Sequence, residues 1–302
     1  MKTILKIILM FFLIIIATNL IMPIFSKLIY KHNISKIDKI NIPYFSLING
    51  IIYDENNKII AKMVSPSDKN VNHYSIYQVF YQDKILISLV LKKPILLDNG
   101  NIYEVPDNIY KNLSYKNVYY PYKIINNKFC YAISKDNKIV IKSWNPITDE
   151  RDIEYSISLP VGVSDDAIKD FDIFGNTIAV SVYSGYIYIM KDKKLLKQFT
   201  EMDAKYISLS SSKVAIYSDN KILIKSLNNN NSYYVRVPEM AHTNNTLGKY
   251  DSASFIKDDL FITYKYWINN KISYSNYIAK LKESDYKLYR ISSQNSIYPL
   301  YK

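Results

Sequence analysis

The stretch Asp172-Ile173-Phe174-Gly175-Asn176-Thr177-Ile178-Ala179-Val180-Ser181-Val182-Tyr183-Ser184-Gly185-Tyr186-Ile187-Tyr188-Ile189 decides the fold. Ile178, Val180 and Val182 alternate with Ala179, Ser181 and Tyr183, and Tyr186 to Ile189 alternate again. Period-2 alternation over four to eight residues is the signature of a half-buried strand. Gly175-Asn176 and Ser184-Gly185 interrupt it with residues that suit tight turns, so the stretch reads as strand, turn, strand, turn, strand.

The same unit returns along the chain. Lys128-Phe129-Cys130-Tyr131-Ala132-Ile133 passes through Ser134-Lys135-Asp136-Asn137 into Lys138-Ile139-Val140-Ile141-Lys142. Lys213-Val214-Ala215-Ile216-Tyr217 passes through Ser218-Asp219-Asn220 into Lys221-Ile222-Leu223-Ile224-Lys225. Fainter copies lie at Asn49 to Lys62, Gln82 to Leu91 and Asp258 to Tyr274. A short apolar strand precedes the clearer hairpins (Tyr119 to Ile125, Ala167 to Ile173, Ala204 to Leu209, Ser252 to Ile256). A more polar one follows (Glu154 to Leu159, Leu195 to Phe199, Tyr233 to Val237, Tyr286 to Ile291). Strand starts at Ile85, Phe129, Ile178, Val214 and Phe261 fall 44, 49, 36 and 47 residues apart. That rhythm brackets the roughly 40–50 residues of a four-stranded propeller blade.

In this rhythm the chain resembles the WD40-like β-propeller superfamily, although the Trp-Asp and Gly-His marks of WD40 repeats are absent and Ser143-Trp144-Asn145-Pro146 is the nearest approach. The resemblance implies an all-β fold, a β-propeller of about six blades over residues 41–302. It also implies a face and central channel built from loops of several blades, a surface suited to binding. An irregular β-sandwich pair is the alternative architecture. Ser164 to Asp170 reads as a loop entering a blade rather than a helix.

Ahead of this domain, Ile7 to Phe25 is an apolar run of 19 residues broken only by Asn19 and Pro23, behind a start with Lys2 and Lys6. About 20 residues span a hydrocarbon core. No small-residue cleavage pattern follows, since Ala17-Thr18-Asn19-Leu20 departs from it. Residues 1–28 are therefore read as a signal anchor, one transmembrane helix with its N-terminus cytoplasmic. Residues 29–40 are read as a juxtamembrane linker and the bulk of the chain as extracytoplasmic. Secretion after cleavage is the alternative.

Composition bounds the function. The formal charge is +12, of which residues 1–40, with six Lys and one Asp, supply +5. Only three residues are Arg, so bidentate phosphate forks are scarce and nucleic acid is not an expected partner. The single cysteine, Cys130, sits in an alternating run and reads as a packed apolar residue; no intrachain disulfide is available. His32, His73 and His242 have no metal-ligand spacing, and no nucleotide loop or nucleophile elbow occurs, so neither metal nor cofactor is expected. Trp144 and Trp267, joined by Tyr120, Tyr122 and Tyr266, are the candidates for exposed, partner-binding aromatics. The expected function is a membrane-tethered interaction scaffold at the cell envelope with a protein partner. A glycan-active enzyme is the alternative, with Asp165-Asp166, Asp170-Asp172, Glu201-Asp203 or Asp258-Asp259 as its paired carboxylates.

Overall fold

The computed structural model describes residues 34–37, 44–48, 51–54, 58–62, 74–79, 84–89, 95–98, 101–109, 121–125, 128–135, 138–145, 148–158, 168–239, 248–268, 271–291 and 297–299. The apolar run 7–25, all three histidines, Tyr120 and Asp165-Asp166 lie outside them. Among the described residues no helix is long and apolar enough to cross a membrane.

The first strand, β1 (Ile34–Ile37), lies within the stretch 29–40. Next come β2 (Tyr44–Ile48), β3 (Ile51–Asp54) and β4 (Ile59–Lys62). A second group holds β5 (Tyr74–Val79), β6 (Lys84–Leu89), β7 (Ile95–Asp98) and β8 (Asn101–Glu104). The third holds β9 (Tyr122–Ile125), β10 (Lys128–Lys135), β11 (Lys138–Trp144) and β12 (Arg151–Ser158). The fourth is β13 (Ile168–Phe174), β14 (Thr177–Val182), β15 (Tyr186–Lys191) and β16 (Lys194–Thr200). The fifth is β17 (Tyr206–Leu209), β18 (Lys213–Tyr217), β19 (Ile222–Ser226) and β20 (Ser232–Val235). The sixth is β21 (Gly248–Ile256), β22 (Asp259–Ile268), β23 (Lys271–Leu281) and β24 (Tyr286–Ile291), after which β25 (Ile297–Pro299) ends the series.

Each group is an antiparallel meander forming its own sheet, so the described strands make an all-β, propeller-type repeat of six sheets. Two departures from chain order tie the ends together. β25 pairs antiparallel with β2, completing the sheet of β2, β3 and β4 as its first strand. β1 pairs parallel with β24, with Ile34 opposite Leu288 and Ile37 opposite Ile291.

The third to sixth sheets pack face on face. Cys130, Ala132, Ile139 and Ile141 of the third sheet meet Ile168, Phe171, Ile178, Val180 and Val182 of the fourth. The opposite face of the fourth supplies Ala179, Ile187 and Ile189 to a seam with Ile207, Val214, Ile216 and Leu223 of the fifth. The fifth then meets the sixth through Ala215, Ile222, Ile224, Tyr250, Ile262, Tyr264 and Tyr277. The half-buried reading of β14 is thereby corrected: it is buried on both faces, because a middle strand has a neighbouring sheet on either side. Its alternation is one of large against small residues rather than apolar against polar. Burying each Ile or Val contributes about 1.5–3 kcal/mol. The fourth strand of that sheet, β16, is mostly exposed. Cys130 is buried, the packed residue that its alternating run suggested.

The meanders give every sheet two distinct ends. At the end called upper here lie the β14–β15 turn, the β16–β17 loop and their counterparts in the other sheets. The β13–β14 and β15–β16 turns lie at the lower end. Since β24 runs from lower to upper and β1 is parallel to it, the chain enters the fold from the lower end.

Candidate functional site

The carboxylates come first, because paired acids were the one catalytic option in the sequence. β17 is the first strand of its sheet, so one of its edges has no partner strand. The amides of Ile207 and Leu209 lie two residues apart along that edge. Asp170 and Asp172, also two apart, meet them from β13: Ile207 N donates to Asp170 Oδ2 at 2.7 Å, and Leu209 N to Asp172 Oδ2 at 2.7 Å. The two side chains act as a strand edge would, satisfying donors that burial would otherwise leave orphaned.

Lys123, on β9, extends this lacing across the third sheet. Its ammonium donates to Asp170 Oδ2 at 3.1 Å and to the Ile207 carbonyl at 2.9 Å, with both charged side chains 4% exposed. On the far side Phe255 N of β21 donates to Ser208 Oγ at 2.9 Å. First strands of four successive sheets are thus tied by polar contacts. Burial pushes the Asp170 carboxyl up to about 6 against the opposing pull of Lys123. Burial also raises Asp172, and its hydrogen bonds from Leu209 and Ile173 work the other way.

The other described pairs are likewise engaged. Lys221 Nζ lies 2.6 Å from Glu201 Oε1 and 3.1 Å from Asp203 Oδ2, one ammonium bridging both acids; the hydrogen bond it donates to Glu201 leads in raising its pKa. Asp258 accepts from Ser211 Oγ at 2.6 Å. Among the described residues no group of three or more His, Cys, Asp or Glu is placed to hold a metal.

The aromatic candidates separate. Trp144 is corrected from exposed to buried, at 4% exposure. Its ring packs edge-on to Phe129 (centroids 6.1 Å apart) beside Val105 and Ile109, and Nε1 donates to Asp149 Oδ1 at 2.8 Å. Tyr122 is half-buried against the same Phe129, 5.5 Å between centroids. Trp267 and Tyr266 lie instead at the upper end. Trp267 is half-buried with the Lys265 ammonium 5.5 Å from its ring, and the same ammonium stands 6.0 Å from Tyr274. Tyr266 stacks on Tyr264 (6.2 Å) and its hydroxyl oxygen accepts from Ser275 Oγ at 3.4 Å.

What the sequence did not single out is an apolar patch at the upper end of the fourth sheet. Tyr183 is 55% exposed, Tyr186 39% and Met202 65%. Tyr186 stacks on Tyr188, and the Lys169 ammonium lies 5.7 Å from the Tyr183 ring. Burial leads in lowering the Lys169 pKa, followed by the like charge of Lys205. Gly185 holds the patch together. The turn closes with Gly185 N donating to the Val182 carbonyl at 3.0 Å, and Glu201 N donates to the Gly185 carbonyl at 2.7 Å, bracing the β16–β17 loop on the β14–β15 turn.

Gly185 has φ +86, and a Cβ there would sit 2.4 Å from Met202 Sδ and 3.0 Å from its Cα. Gly185→Ala is expected to cost about 1–3 kcal/mol through the left-handed backbone alone, with a further clash displacing Met202. Chemical denaturation measures the loss.

No protein-family model and no curated protein matches the chain. Solved structures resemble it at low identity. PorZ, a bacterial surface component of the type-IX secretion system of Porphyromonas gingivalis, is 12% identical with a TM-score of 0.45, over 88% of this chain and 38% of PorZ. The computationally designed Ika8 protein is 10% identical with a TM-score of 0.43, over 86% of this chain and 99% of that one. A chain of a nidogen/laminin complex is 10% identical with a TM-score of 0.48, over 85% and 96% respectively.

Proposed function

We propose that this chain is a six-bladed β-propeller, tethered to a membrane by its N-terminal apolar segment, that docks a protein partner on its upper face at the cell envelope. Six sheets, with face-to-face seams and laced first strands among four successive ones, support the blade count. Completion of one sheet by β25 and β2 supports a closed ring, since it joins the two ends of the chain in one blade. The apolar run Ile7 to Phe25 supports the tether.

The observation that carries the docking role is the patch of Tyr183, Tyr186 and Met202. Tyr is enriched among residues that dominate binding energy, and thioethers adapt to varied partner surfaces. The surrounding charges, Lys205 with Asp219 and Lys221 with Glu201 and Asp203, make a polar rim.

The test compares the full chain, solubilised from membranes, with Tyr183→Ser and Met202→Asp variants in chemical cross-linking. Losing a hot-spot side chain costs 2 kcal/mol or more, so a partner adduct of the wild type is expected to fall roughly thirtyfold in apparent affinity in each variant. Equal adducts from wild type and both variants would place docking elsewhere.

A further inference from the structure

We propose that the lower tip of the β13–β16 sheet is a second membrane contact, binding anionic lipid headgroups through Lys191, Lys193 and Lys194 with Leu195, Leu196 and Phe174 resting at the interface. The proposal rests on the tether reading above and adds a surface to it.

Three independent features converge on this tip. The first is exposure of apolar groups beside cations: Leu195 is 53% exposed, Leu196 45% and Phe174 42%, and Lys191, Lys193 and Lys194 are all exposed. Described ion pairs engage Lys123, Lys205 and Lys221 but none of these three lysines. Exposed Leu and Phe flanked by Lys are the side chains of interfacial membrane segments, the apolar groups entering the acyl boundary while the ammoniums meet phosphate.

The second is shape. Asp192 (φ +50) and Lys193 (φ +64) form a two-residue turn with both central residues in the left-handed region, which suits the twist of a hairpin and projects the lysines beyond the sheet. Asn176 Nδ2 donates to Asp192 Oδ1 at 2.9 Å, and Asp192 N donates to the Asn176 carbonyl at 3.2 Å, so the two lower turns of this sheet brace each other. The tip is therefore held in place before it meets a surface. A register shift beside Met190 leaves Leu196 outside the ladder, and consecutive Leu195 and Leu196 both reach solvent on an edge strand.

The third is where the chain enters. Eight residues separate Phe25 from the start of β1, and its parallel pairing with β24 brings it in from the lower end. Eight extended residues reach at most about 28 Å, so a bilayer holding residues 7–25 lies close to the lower face. The same end carries exposed Lys282 and Lys287 near that entry. Two separated contacts, the tether beneath the sixth sheet and the tip beneath the fourth, would fix the ring's lower face on the bilayer and turn the upper patch away from it.

The test uses the full chain in vesicles with nitroxide-headgroup lipid, with and without phosphatidylglycerol. Cys130, the one native thiol, is buried, so a fluorophore reports separately from Asn228→Cys in the lower turn next to β16 or Ser184→Cys in the upper turn. Lys197 Nζ joins β16 to that lower turn through the Ser226 carbonyl at 3.1 Å.

The expected result is quenching at position 228 that depends on phosphatidylglycerol, and none at 184. The triple variant Lys191→Glu, Lys193→Glu, Lys194→Glu should remove that quenching while keeping the thermal midpoint and resistance to carbonate extraction. Quenching absent at 228, or unchanged in the triple variant, overturns the proposal. If carbonate extracts the wild-type chain, the tether reading fails on its own. The tip is then judged by low-salt co-sedimentation with the same vesicles, where losing three surface lysines should weaken binding roughly a hundredfold. Equal binding of wild type and variant in that assay overturns it.

Discussion

Lys123→Met lowers the unfolding free energy by about 3–5 kcal/mol at pH 8, the cost of leaving a buried carboxylate without its counter-ion. Asp170 is the group left behind, 4% exposed and still accepting from Ile207 N. Urea denaturation followed by circular dichroism measures the loss, and a change below about 1 kcal/mol would place the pair in a solvated setting. The loss is smaller at pH 5, where Asp170 escapes by taking up a proton. The sign for wild type follows from the same carboxyl. Its folded pKa of about 6 lies above the ordinary value of 3.8, so the folded state holds the proton more tightly. Asp170 therefore contributes most below pH 3.8, and that contribution is lost as pH rises through about 6. Measured as the difference between wild type and Asp170→Asn, stability should fall across this window and level off above it. Asn keeps an acceptor for Ile207 N, so the comparison isolates the charge.

Trp144→Ala costs a similar amount, about 3–5 kcal/mol, because it empties a seam that cannot collapse easily. Phe129, Val105 and Ile109 pack around the indole and are almost wholly buried. Trp144→Phe restores most of that contact and loses only the hydrogen bond to Asp149. That bond is the leading cause of the lowered Asp149 pKa, so Phe should return this carboxyl toward its ordinary value in a carboxyl-resolved NMR titration. A surface role for Trp144 would instead leave stability nearly unchanged in both variants.

Local rhythm carried the fold where both strands of a hairpin were near in sequence. Lys128 to Lys142 and Lys213 to Lys225 form the expected pairs, and Tyr286 to Ile291 follows its hairpin as the fourth strand of the meander, although β1 covers the edge it was expected to leave free. Gln82 to Leu91 was less legible: it holds the single strand β6, whose partner β7 lies beyond it. Ile297–Pro299 is too short for periodicity to show, and its pairing with β2 joins segments some 250 residues apart. The acids were visible as residues but not as roles. Asp170 and Asp172 look like a catalytic pair until β17, 37 residues away, presents its edge amides. Trp144 misled for a related reason. It was read as an exposed, partner-binding aromatic, whereas the indole is buried against Phe129, Val105 and Ile109 and its N–H donates to Asp149. Tyr183, Tyr186 and Met202 were hidden among 30 tyrosines and seven methionines, and only the turn and loop that Gly185 joins bring them together.

The most direct test of the whole account is site-specific photocross-linking of the full chain in its native membrane, with a benzophenone residue at Tyr183 or Met202 for the upper end and at Lys193 or Leu195 for the lower. The account predicts protein adducts from the upper positions, lost in the Gly185→Ala background, and lipid adducts from the lower ones. Lipid adducts from Tyr183 and Met202, with protein adducts confined to Lys193 and Leu195, would contradict it.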